Sequence, residues 1–161
     1  PSQKAFEGRL AMAIARLDPT RPVVVEAESA KVGNCRLPPK LWRAMVAAPR
    51  IAIAAPRAAR AEYLTRAYAD LTVDPDRLDA IVASLRPAHA AEVIAAWRGM
   101  VAAGQFTALA DGLMERHYDP RYGKHRARME VPLTEVEAER LGEPDLPALA
   151  DRVAAAVGKV I

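Results

Sequence analysis

Three features of this chain are of the right residue types and spacing to do chemistry. Glu26 and Glu28 follow directly on the apolar triplet Val23-Val24-Val25. If the triplet is a strand, alternation puts both carboxylates on one side, at the carboxyl end where open α/β sheets bind their ligands. Together they could hold a magnesium ion or polarise a water. The plainer alternative has one facing solvent and the other paired with a nearby Lys or Arg. Burying a carboxylate beside three valines is costly without a purpose.

Arg57 and Arg60 stand just after Pro56, where a helix is expected to begin. Cations in the first turn oppose the positive end of the helix dipole unless an anion is present. Free N–H groups at a helix start also bind phosphate. The pair therefore reads as a phosphate or phosphoryl clamp, or else as a solvated basic turn. The third feature is the run Arg116, His117, Tyr118, Asp119, Arg121, Tyr122, Lys124, His125, Arg126 and Arg128. Arg and Lys neutralise phosphates while Tyr and His stack on exposed bases, so this run suits RNA. A solvated helix face has the same composition.

Other candidates fall away. His89, His117 and His125 lack metal-ligand spacing, and Cys35 has no second cysteine, so no zinc site is expected. Cys35 reads as a passive small residue. Gly99 and Gly104 have the separation of a phosphate-loop pair, but Gln105-Phe106 stands where Lys-Ser/Thr is required. Trp42 and Trp97 sit on apolar helical stripes and read as core.

The elements that must position these residues follow from periodicity. Phe6, Leu10, Ala13, Ile14 and Leu17 predict an amphipathic helix behind Ser2 as cap. Val23 to Val25 reads as a strand buried on both faces, and 31–39 as a loop. A helix from Leu41 stops before Pro49. Ile51 to Ala54 is a second strand, and Leu64, Ala67, Tyr68 and Leu71 stripe the helix after Pro56. Strand, helix, strand, helix is the rhythm of an α/β sheet. From Pro75 the pattern turns helical, around Leu78, Ile81, Val82 and Leu85, then Val93, Ile94, Trp97 and Val101, then Phe106, Leu109 and Leu113. Asp119-Pro120 reads as a cap and first helical position. Met129 to Leu133 reads as an edge strand, because Pro132 suits no central one. Thr134 and Glu137 have capping-box spacing, and Leu146, Leu149, Val153 and Val157 stripe the last helix.

The 161 residues suit one domain with a real core, and the charged fraction of 27% is ordinary for a soluble protein. No apolar run approaches a membrane span and no signal peptide opens the chain. One cysteine cannot form an internal disulfide, so a reducing cytoplasm is the expected compartment. A net charge of +3 permits nucleic-acid binding without requiring it. The chain begins Pro1-Ser2-Gln3 with no initiator methionine, which points to a fragment of a longer protein.

Read in order, these segments resemble a family. Pro1 to Glu7 is similar to the stretch after the phosphate-binding helix of tRNA 2-selenouridine synthases. Glu26-Ala27-Glu28-Ser29-Ala30-Lys31-Val32-Gly33, then Leu37-Pro38, resembles that family's Glu-x-Glu-Ser-x-x-x-Gly-x-x-x-Leu-Pro signature. The run Arg57 to Leu64 and Tyr118-Asp119-Pro120-Arg121-Tyr122 also look like its landmarks. The resemblance implies the carboxy-terminal portion of an enzyme with a rhodanese-like domain and a P-loop domain. Such enzymes replace the 2-thio sulfur of wobble uridine by selenium. They use selenophosphate, and they geranylate the sulfur from geranyl diphosphate to make it a leaving group. On that basis residues 1–74 are a βα portion of a P-loop-like parallel sheet without its phosphate loop. Residues 75–161 are a helical portion with one short strand, packed in the same domain. Glu26 and Glu28 take the acidic, metal-facing role. Ser29, Arg57, Arg60 and, more distantly, Arg66 contact co-substrate phosphate. Arg116, Tyr118, Arg121, Tyr122, Lys124, Arg126 and Arg128 contact tRNA. The partners implied are tRNA and the missing rhodanese and P-loop portions, and no membrane. With no Gly-x-x-x-x-Gly-Lys-Ser/Thr and no rhodanese cysteine, the chain holds no cofactor of its own and is expected to be inactive alone. Two other readings fit the same residues: a non-catalytic RNA- or protein-binding helical module on a degenerate scaffold, and a P-loop-like kinase relative without its nucleotide site.

Overall fold

Ser2 begins the first helix as its residue type predicts. Its hydroxyl accepts from the Ala5 N–H at 3.3 Å and caps α1, Gln3–Ile14. The computed structural model describes residues 1–26, 29–126 and 133–160. Helix α1 buries none of its residues; Phe6 and Leu10 are half-buried, while Ile14 and Leu17 are exposed. It is tied down by polar contacts instead. The Gln3 side-chain amide donates to the Arg36 carbonyl at 2.7 Å and accepts from the Arg36 N–H at 2.9 Å, as a neighbouring strand would.

The expected first strand is absent. Val23, Val24 and Val25 run without sheet pairing and are 55%, 71% and 49% exposed. An apolar triplet has strand propensity, but a strand needs a neighbour for its N–H and C=O groups. None of the described residues supplies one. The expected loop after it holds a small hairpin, β1 (Lys31–Val32) against β2 (Cys35–Arg36), antiparallel. Gly33, at φ +58°, takes the first turn position, where a positive φ matches the strand twist and a side chain would be strained.

Helix α2 (Pro39–Ala47) ends before Pro49, and β3 (Arg50–Ala54) follows. Next come α3 (Arg57–Ala67), α4 (Ala69–Thr72), α5 (Pro75–Ala83), α6 (Ala91–Ala102) and α7 (Phe106–Leu113). A π turn, Met114–Tyr118, leads without a break into α8 (Asp119–Arg126). Strand β4 (Leu133–Glu137) then pairs parallel with β3, from Arg50 opposite Leu133 to Ala54 opposite Glu137. The final helix, α9 (Leu146–Val160), closes the chain. This is an α/β arrangement dominated by helices, with the crossover between its two parallel strands spanning α3 to α8.

Two expectations about local structure are corrected. Asp119-Pro120 does not begin a new helix: Asp119 is helical and its N–H reaches back to the Met114 carbonyl. Pro120 cannot donate and would crowd the carbonyl one turn earlier, and the wider π turn lies just before it. Thr134 and Glu137 do not cap a helix either, because both lie in β4. That strand starts at Leu133, while the expected span 129–132 lies outside the described residues.

Apolar side chains gather in two places. Leu78, Val82, Ile94, Trp97, Val101 and Leu109 form the core of α5, α6 and α7. Val136, Ala138, Leu149 and Ala156 form a second cluster, with Ile51 packed on it, where α9 covers the sheet. Trp97 is 2% exposed, as expected of a core residue, but Trp42 is only half-buried. Among the described residues no helix is long and apolar enough to cross a membrane.

Candidate functional site

The two arginines after β3 do not stand alone. Arg57 Nε donates to Asp111 Oδ1 at 2.6 Å, and its Nη1 to Glu115 Oε1 at 3.0 Å. Arg60 makes a bidentate pair with Asp119, Nη1 to Oδ1 at 2.8 Å and Nη2 to Oδ2 at 2.7 Å. The fork geometry of guanidinium matches carboxylate and phosphate equally. The anion that a basic first turn calls for is therefore supplied by the chain itself. Asp111, Glu115 and Asp119 recur at every fourth residue, one stripe on the helical run facing α3.

Electrostatics at this seam run in one direction. The Arg60 hydrogen bonds hold the Asp119 carboxyl below its usual range, against the opposing effect of burial. Asp119 in turn raises Arg60, and Asp111 raises Arg57. Arg60 and Asp119 keep 34% and 40% of their side-chain surface in water, so the pair contributes about 1 kcal/mol at most. Arg60 Nε is buried and has no partner among the described residues. Asp111 and Glu115 have no place in the sequence reading, and Asp119 enters it only within the basic-aromatic run and as a helix cap; their four-residue spacing was the available signal.

As far as Arg126, the basic-aromatic run falls on the π turn and α8. Arg116, Tyr118, Arg121 and Tyr122 are exposed there. His117, set among them, is buried at 8% exposure. Arg121 Nη1 donates to His117 Nε2, and His117 Nδ1 lies 2.8 Å from His89 Nε2. Burial lowers the His117 pKa, and the charge of Arg121 and then His89 lower it further. The His89 ring also meets Trp97 edge-on at 4.8 Å. Sequence spacing alone could not show that His89 and His117 touch.

The remaining candidates scatter. Glu26 is exposed on the unpaired segment after the valines, and Glu28 lies outside the described residues. The strand expected to align the two carboxylates is not formed. Among the described residues no group of three or more His, Cys, Asp or Glu could hold a metal ion. Ser29 is exposed, and its hydroxyl accepts from the Lys31 N–H at 3.0 Å to start the hairpin. Arg66 donates to the Leu141 carbonyl at 2.7 Å, tying α3 to the turn after β4. Lys124 and Arg126 belong to α8, with side chains outside the described set, and Arg128 lies outside the described residues. The structure thus joins Arg57, Arg60 and the helical run that carries Tyr118 and Arg121, and leaves Glu26 and Ser29 apart from them.

Comparison with known proteins places the amino-terminal part of the chain. Residues 1–76 match the family model described as the tRNA 2-selenouridine synthase AAA domain. The stretch includes three of the four resembling segments: Pro1 to Glu7, Glu26 to Pro38 and Arg57 to Leu64. Tyr118 to Tyr122 lies beyond it. No curated protein and no solved structure matches the chain.

Proposed function

From the match of residues 1–76 to the tRNA 2-selenouridine synthase AAA domain, we propose that this chain serves a tRNA-modifying transferase of the cytoplasm. That match carries the reading. The whole enzyme would replace sulfur by selenium at 2-thiouridine of the wobble position, through S-geranylation, with geranyl diphosphate and selenophosphate as co-substrates. This chain would contribute substrate and tRNA contacts and be inactive without the P-loop and rhodanese portions. Arg57 and Arg60 are suited to phosphoryl oxygens because they already hold two-oxygen acceptors at the carboxyl end of β3. Glu26 and Glu28 would supply the acidic role. Arg116, Tyr118, Arg121, Tyr122, Lys124, Arg126 and Arg128 would meet the tRNA backbone or an unstacked base.

A second reading is favoured by one observation: Asp111, Glu115 and Asp119 already occupy both arginines. In that case the βα segment is scaffold and the chain is a helical RNA-binding module. Both readings are tested by tRNA binding to the purified chain across a salt series. Reversing charge at Arg121 and Lys124 should weaken binding and flatten the log–log salt slope by about 0.7–0.9 for each phosphate no longer neutralised. Salt-independent or absent tRNA binding would sink both. Pyrophosphate binding that weakens in Arg57→Ala decides for the transferase reading; indifference to pyrophosphate decides for the module.

A further inference from the structure

A cleft of about 400 Å³ lies at the start of α6, lined by Arg86, His89, Ala91, Ile94, Ala95 and Arg98. It contains none of the residues assigned above to phosphate or tRNA, and its hydrogen-bonding groups can be followed one by one. Arg98 is taken by Asp79 in a bidentate pair, 2.7 Å on each arm. Arg86, by contrast, makes no hydrogen bond or ion pair among the described residues; its charge reaches Asp79 only at longer range.

The protonation of His89 follows from its neighbours. Arginine can only donate, and Arg121 Nη1 lies closer to His117 Nε2 than to its Nδ1, which is 3.2 Å away, so Nε2 is the atom that presents a lone pair to Arg121. Neutral His117 then carries its proton on Nδ1 and donates it to His89 Nε2, 2.8 Å away. His89 keeps its own proton on Nδ1, and no acceptor for it exists among the described residues. The ring is held in place by the edge-on contact with Trp97. A metal ion is a poor occupant, because both lone pairs that the imidazoles offer are already filled by N–H donors.

The lining therefore holds one guanidinium without a partner among the described residues, a second paired with Asp79, and an imidazole, with no carboxylate among the lining residues, beside the apolar Ala91, Ile94 and Ala95. Donors alone, next to an apolar surface, suit an anion carried on an organic body. We infer that this cleft binds a phosphate group of a nucleotide-sized ligand, the phosphate on Arg86 and His89 and the body against the apolar floor. The phosphate can come from an RNA chain or from a free phosphate ester. The RNA source rests on the tRNA reading, whereas the phosphate site does not.

The test is a titration of the full chain followed by the imidazole Cε1–H signals of its histidines. Uridine 5′-monophosphate should shift the His89 signal saturably. Uridine without phosphate should bind at least about tenfold more weakly, the loss expected for one charge-assisted contact. Arg86→Ala should weaken uridine 5′-monophosphate by a similar factor and Arg86→Lys by less. Arg86 is exposed, so these variants are expected to fold, and unchanged signals from the Trp97 ring check that they do. An unmoved His89 signal, or equal binding by Arg86→Ala, overturns the site. If tRNA displaces the nucleotide, the phosphate is that of RNA; if tRNA binds without displacing it, the natural ligand is a free phosphate ester, and both results support the cleft. A chain that binds no tRNA yet shows the His89 shift loses the tRNA reading and keeps the site.

Discussion

Between Pro1 and Arg36 the only buried side chain among the described residues is Cys35, whereas α5, α6 and α7 bury Leu78, Val82, Ile94, Trp97, Val101 and Leu109 against one another. The first region is held by polar contacts of Gln3, Arg36 and Ser29; the second by an apolar cluster with little room to adjust. Yet the first lies wholly within the stretch that matches the family model, and the second lies almost wholly outside it. Likeness to a family and contribution to stability are thus carried by different parts of this chain. Side chains that resemble a family without filling a core are the ones to look to for contacts with something else.

The contrast is tested most severely at Trp97. Truncation to Ala removes a side chain 2% exposed at the centre of the helical cluster. We expect a loss of about 3–5 kcal/mol, read from urea denaturation. The indole also stands against Gly112, where an added Cβ would come within 2.9 Å of its Nε1. If Trp97→Ala cost less than about 1 kcal/mol, the α5–α7 cluster would not be the stabilising half of the molecule.

Smaller effects, dependent on pH, are expected from two residues of the helical run, His117 against His89 and Asp119 against Arg60 of α3. Burial and the Arg121 charge depress the His117 pKa from its ordinary 6.5, so the unfolded chain binds the proton first. Its contribution to stability is complete above about pH 6.5 and declines as pH falls from there towards the folded value. Asp119 is depressed from 3.8 by Arg60, so its contribution persists at neutral pH and disappears only as pH falls below that range. Acid denaturation should accordingly show two separable steps. His117→Phe should remove the upper one. Asp119→Asn should remove the lower one and cost about 0.5–1 kcal/mol at pH 7, a figure held down by solvent screening. An upper step that survives His117→Phe would show that another group titrates there.

How much of this was legible in the sequence varies with the physical origin of each feature. Helix α1 began at its Ser2 cap, α2 stopped before Pro49, and β3 followed at 50–54 because these depend on neighbours in sequence. The stripes around Leu78, Ile94 and Leu109 became a core because helical period and burial coincide there. Val23 to Val25 failed as a strand because pairing depends on a partner that no local pattern encodes. Asp119-Pro120 failed as a helix start because the π turn just before it carries the helical run into α8 without a break. At the candidate site, sequence showed that Arg57 and Arg60 need an anion. It could not show that Asp111, Glu115 and Asp119, more than fifty residues later, provide one. The His89–His117 contact was hidden for the same reason, since twenty-eight residues separate two rings that lie 5.1 Å apart.

The smallest expected effect probes the contrast from its other side. Val24 is 71% exposed and adds little to the folded chain, so Val24→Ser should change stability by less than about 0.5 kcal/mol. Unchanged stability alone would be uninformative if the segment had no task. The family match makes the result informative, because Val24 stands just ahead of Glu26 and Glu28 inside the matched stretch. On the transferase reading proposed above, the same substitution should lower the turnover of that transferase while the melting temperature of the isolated chain stays put. The reason is geometric: two carboxylates act together only when the backbone before them is held extended, and three adjacent apolar side chains hold it only against a surface. Full turnover in Val24→Ser would mean that the valines cover nothing in the assembled enzyme, and the acidic pair would lose its claim to a positioned site.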